Sequence, residues 1–159
     1  MTHVLGIDVS KAKLDVALRR PDGKLRSKVV ENSPSGFVAL TAWLDTHGVH
    51  RLHACMEATG IYWEAVAAYL ADAGHTVSVV NPAQIKAFGG AGLVRTKTDR
   101  VDAKLIAAFC VAQCPPPWQA PPPAVRALRA LVARRDALDA MRTQERNRLG
   151  VADQNVRPG

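Results

Sequence analysis

The stretch V-L-G-I-D-V-S-K, residues 4–11, decides how the rest of the chain is read. It is apolar almost throughout, as a strand buried on both faces would be. Asp8 interrupts it between Ile7 and Val9. An ionised carboxylate in such a place is costly unless a raised pKa, a cationic partner or a metal compensates it. What folds against this strand therefore bears on fold and function together.

Working outward, residues 3–9 form the first strand. Residues 14–20 and 24–31 flank R-P-D-G, a turn signal, and complete an antiparallel meander. Asn32-Ser33-Pro34 starts a helix with Phe37, Leu40 and Leu44 on one face, and Gly48 ends it. Residues 52–56 form a fourth strand, 61–73 a second helix closed by Gly74, and 76–80 a fifth strand stopped by Asn81-Pro82. A short helix over 83–88 is expected to give way to a loop at Gly89, Gly90 and Gly92. Thr98 is placed to N-cap a helix over 99–112. The order β-β-β-α-β-α-β-α predicts a mixed five-stranded sheet with helices on both faces, strand one lying centrally beside strand four. This is the ribonuclease-H-like topology.

The first domain is thus expected over 1–114. Residues 115–123, P-P-P-W-Q-A-P-P-P, read as an extended proline spacer. A long basic helix follows over 124–150. Its 128/131/135/138/142/145/149 register makes a coiled-coil seam broken by Arg135, Arg142 and Glu145. Residues 151–159 carry no periodicity and are expected to be a disordered tail.

The net charge of +7 is concentrated. Residues 86–104 hold Lys86, Arg95, Lys97, Arg100 and Lys104 against two aspartates. Residues 126–148 hold seven arginines, among them Arg126, Arg129, Arg134, Arg135 and Arg142, against three acids. The remainder is neutral. Such an excess suits a polyanion, nucleic acid above all. The same charges also suit a solvated basic loop and helix. No apolar run reaches ~18 residues, so no membrane span is expected. The N-terminus has no secretion signal, which makes the cytoplasm the expected compartment. Cys55, Cys110 and Cys114 suggest no disulfide framework, and C-x3-C at 110–114 lacks two further zinc ligands at suitable spacing.

Four carboxylates stand out. In this topology Asp8 and Glu57 come from neighbouring strands. Asp99 and Asp102, spaced i, i+3 in K-T-D-R-V-D-A, would share a helix face. Each has a structural explanation alone: Asp8 with Lys11, Glu57 with the 58–60 turn, the other two with a helix dipole. Converging, they would repel one another unless cations sat among them, and hard oxygen ligands suit Mg²⁺ or Mn²⁺.

G-I-D-V-S-K at 6–11, E-A-T-G at 57–60, N-P at 81–82 and K-T-D-R-V-D-A at 97–103 resemble the N-terminal domain of the DEDD transposases. The class is that of IS110 insertion sequences, which includes the Piv-type DNA invertases. The resemblance covers about residues 3–112 and extends to the layout of the long helix. It implies a RuvC-like fold and a catalytic site of Asp8, Glu57, Asp99 and Asp102 holding two Mg²⁺ or Mn²⁺ ions. It also implies insertion-element DNA and a structured guide RNA as partners, and assembly as a homo-oligomer. Family members carry a second, C-terminal domain whose serine serves as nucleophile. These 159 residues are expected to lack it, and Ser10 and Ser35 are not substitutes.

Two rivals differ in class. An actin-like kinase also opens with a G-I-D strand, but it needs a glycine-rich phosphate turn where S-K-A-K stands. A non-catalytic binding or oligomerisation module would bind nucleic acid without divalent metal and without Asp8.

Overall fold

The computed structural model describes residues 2–91 and 101–156, except the side chains of residues 91 and 152–156. Two compact units result, Met1–Ala120 and Pro121–Gly159.

The first unit is built on a five-stranded sheet. Strands β1 (His3–Val9), β2 (Lys13–Arg19) and β3 (Leu25–Glu31) form the meander. β4 (Leu52–Glu57) and β5 (Thr76–Val80) add parallel to β1, giving the order β3-β2-β1-β4-β5. β1 is central, and the topology is ribonuclease-H-like, as the element order predicts.

Alternation along the strands divides the core in two. Leu5 and Ile7 face helices α1 (Pro34–Thr46) and α2 (Glu64–Asp72), packing with Phe37, Leu40, Leu44, Val66 and Leu70. Val4 and Cys55 face the other way, towards Ile85 of α3 (Pro82–Ala91) and Ile106, Ala107 and Phe109 of α4 (Ala103–Gln113). Each large apolar side chain buried this way contributes ~1.5–3 kcal/mol of transfer free energy. Gly6 shares the α4 face. A Cβ there would overlap the Ala103 carbonyl and meet the Ala107 nitrogen at 2.6 Å. Glycine thus lets α4 lie directly on the central strand, one pleat from Asp8.

Several boundaries differ from expectation. α2 begins at Glu64 rather than at residue 61, because Gly60 takes a positive φ of 63° and turns the chain first. α3 runs through Gly89 and Gly90 to Ala91, where a loop was expected. The proline stretch is not wholly a free spacer. The Trp118 N–H donates to the Val77 carbonyl, and the buried Ser78 hydroxyl meets the Pro115 and Pro116 carbonyls at 3.0 Å each. The Trp118 ring also packs edge-on against Trp63.

In the second unit a single helix, α5 (Pro123–Val156), starts one residue earlier than expected and continues through residues 151–156, expected to be disordered. No helix among the described residues is long and apolar enough to cross a membrane.

Candidate functional site

The site lies at the end of the sheet where β1 and β4 finish. The last ladder pair between them is Ile7 with Met56, so Asp8 and Glu57 are the next residues on neighbouring parallel strands. Both are half-buried and lie on the α4 face.

Asp102 reaches the same place from α4. The sequence suggested a helix already under way at Asp99, with Asp102 on its face. The helix instead starts at Ala103, and Asp102 is its N-cap, with φ −124° and its side chain accepting from the Leu105 N–H at 2.8 Å. The carboxylate thus satisfies an orphan donor of the first turn while standing beside Asp8. Thr98 and Asp99 lie outside the described residues, as do Arg95, Lys97 and Arg100.

These groups are near enough to act on one another's charge. Burial raises the Asp8 pKa above the ordinary aspartate value, the Asp15 and Asp102 carboxylates raise it further, and Lys13 opposes them. Burial also raises Glu57, followed by the charge of Asp8, with Lys86 opposing. The cation acting on Asp8 is therefore Lys13 rather than Lys11. Lys86, expected on a phosphate, is near enough to Glu57 to act on its charge.

Asp15 is the acid that sequence reasoning missed. It stands opposite Asp8 in the β1–β2 ladder. Its weak ion pair with Lys13, at 3.7 Å, is largely exposed. Both aspartates line a cleft of about 540 Å³ with Asp102, Lys104 and, from β3, Ser27, Lys28 and Val29. α4 bounds one side, and the exposed Ser27 and Val29 extend the floor across β3.

The donor set is all carboxylate, as a hard divalent cation requires. Two of the three described donors carry raised pKa values, first through burial and then through the neighbouring carboxylates, and a bound cation would offset both. Among the described residues, however, no three His, Cys, Asp or Glu side chains are arranged to hold a metal ion. Asp8, Glu57 and Asp102 are gathered without forming a finished coordination shell.

Behind the carboxylates, the Cys55 and Cys110 thiols are near enough across the β4–α4 interface to perturb each other's titration. Both are buried and free. In α5 the arginines share the helix with exposed Leu128, Leu131, Leu138, Met141 and Leu149.

Residues 5–152 match the model of a transposase family, the DEDD transposases of IS110 elements. The pilin gene-inverting proteins of Moraxella lacunata and Moraxella bovis are each 34% identical over 146 residues, 91% of this chain and 45% of theirs. The chain thus spans less than half the length of these curated relatives. Among solved structures, Thermus thermophilus RuvC in complex with a Holliday junction substrate aligns at 19% identity and TM-score 0.48, covering 70% of this chain and 96% of that one. A second Thermus thermophilus RuvC structure aligns at 20% identity and TM-score 0.48, covering 73% and 99%.

Proposed function

Because the chain belongs to the DEDD transposase family of IS110 elements, we propose that it is the nuclease-type part of a DNA recombinase, using divalent metal to cleave and transfer strands. The supporting observation is the gathering of Asp8, Glu57 and Asp102 from three elements at one end of the sheet, close enough for Asp8 to feel Asp102 and Glu57 to feel Asp8. The proposed ligands of two Mg²⁺ or Mn²⁺ ions are these three with Asp99. When bound, such a pair stabilises the attacking and leaving oxygens of an in-line phosphoryl displacement.

The chain's own residues do the rest. Asp8, from the central strand, holds the centre of the site. Glu57 and Asp102 flank it from β4 and α4. Lys104 and Lys28 line the cleft and meet phosphates of the strand laid along it. Lys86, Arg95, Lys97 and Arg100 contact phosphates nearby. Arg126, Arg129, Arg134, Arg135 and Arg142 of α5 likewise contact phosphates. The substrate is insertion-element or invertible-segment DNA, in keeping with relatives named for inverting a pilin gene. A structured guide RNA is the second partner by family resemblance. The leucines of α5 support assembly as a homo-oligomer.

A calorimetric Mn²⁺ titration of the chain beside Asp8→Ala tests the assignment. Binding by the parent and its loss in the variant are expected. Equal binding by both would remove Asp8 from the site. Binding by neither would leave this chain a nucleic-acid-binding module.

A further inference from the structure

The structure carries a cross-link at the carboxylate end of the sheet that the catalytic reading does not use. β1 and β4 part after Ile7 and Met56. From there one strand runs through Asp8 into the 10–12 turn, and the other through Glu57 into the 58–63 loop. No ladder pair holds the two ends beside the carboxylates. Each end is paired on its outer side, Asp8 with Asp15 and Glu57 with Val80, but the two ends are not paired with each other.

Asn32 sits across this gap. It follows β3 directly and precedes Ser33, the N-cap of α1. Its Nδ2 donates to the Ser10 carbonyl at 2.9 Å and to the Tyr62 carbonyl at 3.0 Å. Both partners are carbonyls that can only accept, so the amide nitrogen must face them and both its protons are used. Its backbone N–H donates to the Ala12 carbonyl at 3.0 Å. One residue thus ties the turn after Asp8 to the loop after Glu57. Two further hydrogen bonds brace the loop. Ala58 donates to the Val80 carbonyl at 2.9 Å, and the Trp63 indole donates to the Gly60 carbonyl at 3.0 Å.

We propose that Asn32 is a positioning residue that fixes the spacing of Asp8 and Glu57 by clamping the two segments that leave them. Asp8 and Glu57 lie between two fixed points, the Ile7–Met56 ladder pair and the Asn32 bridge. Serine, threonine or aspartate at 32 could not replace it, because none offers two donors in one plane. The inference rests on the ligand roles proposed for Asp8 and Glu57.

Two readouts test it, with Asn32→Ala and Asn32→Asp beside the parent. Asn32→Asp keeps the shape and loses both donors. The first readout is metal-free amide exchange. Segments 10–13 and 58–63 are expected to exchange faster together in both variants, while the β4–β5 ladder is unchanged. The second is Mn²⁺ affinity, expected to fall about 10- to 100-fold, as when a ligand's supporting hydrogen bonds are removed. Val49→Ala, at the opposite end of the sheet, controls for general destabilisation and is expected to bind as the parent does. Parental exchange rates in both segments would overturn the clamp whatever the metal does. Parental Mn²⁺ affinity in Asn32→Ala, with a lowered Tm, would reduce Asn32 to a structural residue. If Asp8→Ala binds Mn²⁺ as the parent does, the ligand assignment fails instead, and the exchange rates still decide the clamp.

Discussion

Asp8 on β1 and Asp15 on β2 stand directly opposite each other in the antiparallel ladder. Like charges so placed destabilise a sheet, and Asp15 is the first of the charges that raise the Asp8 pKa, after burial. A proton therefore binds Asp8 more tightly in the folded chain than in the unfolded one. Below the unfolded value of ~3.9 both states are protonated and no penalty exists. As pH rises through the interval up to the folded value, stability falls, and above it the penalty is complete. Asp8→Asn and Asp15→Asn should each raise Tm at neutral pH by a few degrees, given ~0.2–1 kcal/mol for an opposed pair. Melting curves at falling pH should show the gain shrinking towards ~pH 4. A gain that persists unchanged in acid would mean that packing rather than charge separates parent and variant.

Asp102 has two roles that substitution can separate. As N-cap of α4 it accepts from Leu105, and its proposed second role is as a metal ligand. Asp102→Ala should cost ~1 kcal/mol through the lost cap and should also abolish Mn²⁺ binding. Asp102→Asn caps as well as aspartate, so Tm should hold while Mn²⁺ binding is lost. Calorimetry and melting on the two variants decide the point, and retained binding in Asp102→Asn would exclude the carboxylate as a ligand.

Gly6→Ala tests the close approach that sets Asp102 beside Asp8. The new methyl would overlap the Ala103 carbonyl, which a flexible side-chain shift cannot relieve because the obstacle is backbone. Overpacking of this kind costs ~1–3 kcal/mol or more, so a fall in Tm on the order of 5–15 °C is expected. α4 should move outward, taking Asp102 with it. Mn²⁺ affinity measured well below Tm should therefore fall as well. A stable variant with parental affinity would mean that α4 slides without disturbing the site.

The parts legible in the sequence are those set by local pattern. The apolar run around Asp8, the R-P-D-G turn and the Ser33-Pro34 helix start each encode their structure within a few residues. The long-range order β3-β2-β1-β4-β5 followed because short crossovers admit few topologies. Asp15 was not legible, because its place depends on register. The Ser10–Lys13 turn closes with a Ser10 N–H to Lys13 carbonyl bond at 3.0 Å, which pairs Val9 with Leu14 and hence Asp8 with Asp15. Counting back from that turn is the signal that could have found it. The start of α4 was misread because threonine and aspartate are both good cap residues, and the close approach of Ala103 to Gly6 is a tertiary contact that no local pattern announces. The proline stretch looked like a spacer because its carbonyl partners, the buried Ser78 hydroxyl above all, lie some 37 residues back in the chain.

The arginines of α5 invite a test that needs no metal. Each phosphate neutralised on duplex DNA releases counterions, and log K falls with log salt by about 0.9 per contact. Arg129→Ala and Arg142→Ala should each lower the magnitude of that slope by about 1, with little dependence on DNA sequence. Lysine at either position should restore the slope, since the contact is charge rather than geometry. Leu128→Ala and Leu138→Ala remove apolar surface and no charge, so they should leave the slope intact and act on self-association instead. Asp8→Ala should leave metal-free binding unchanged or slightly tighter, having removed a negative charge from the cleft. Fluorescence anisotropy from roughly 50 to 200 mM salt measures all of these, with sedimentation to follow assembly. Slopes that stay at the parental value in both arginine variants would place the phosphate contacts elsewhere, on Lys104 and the basic residues around it.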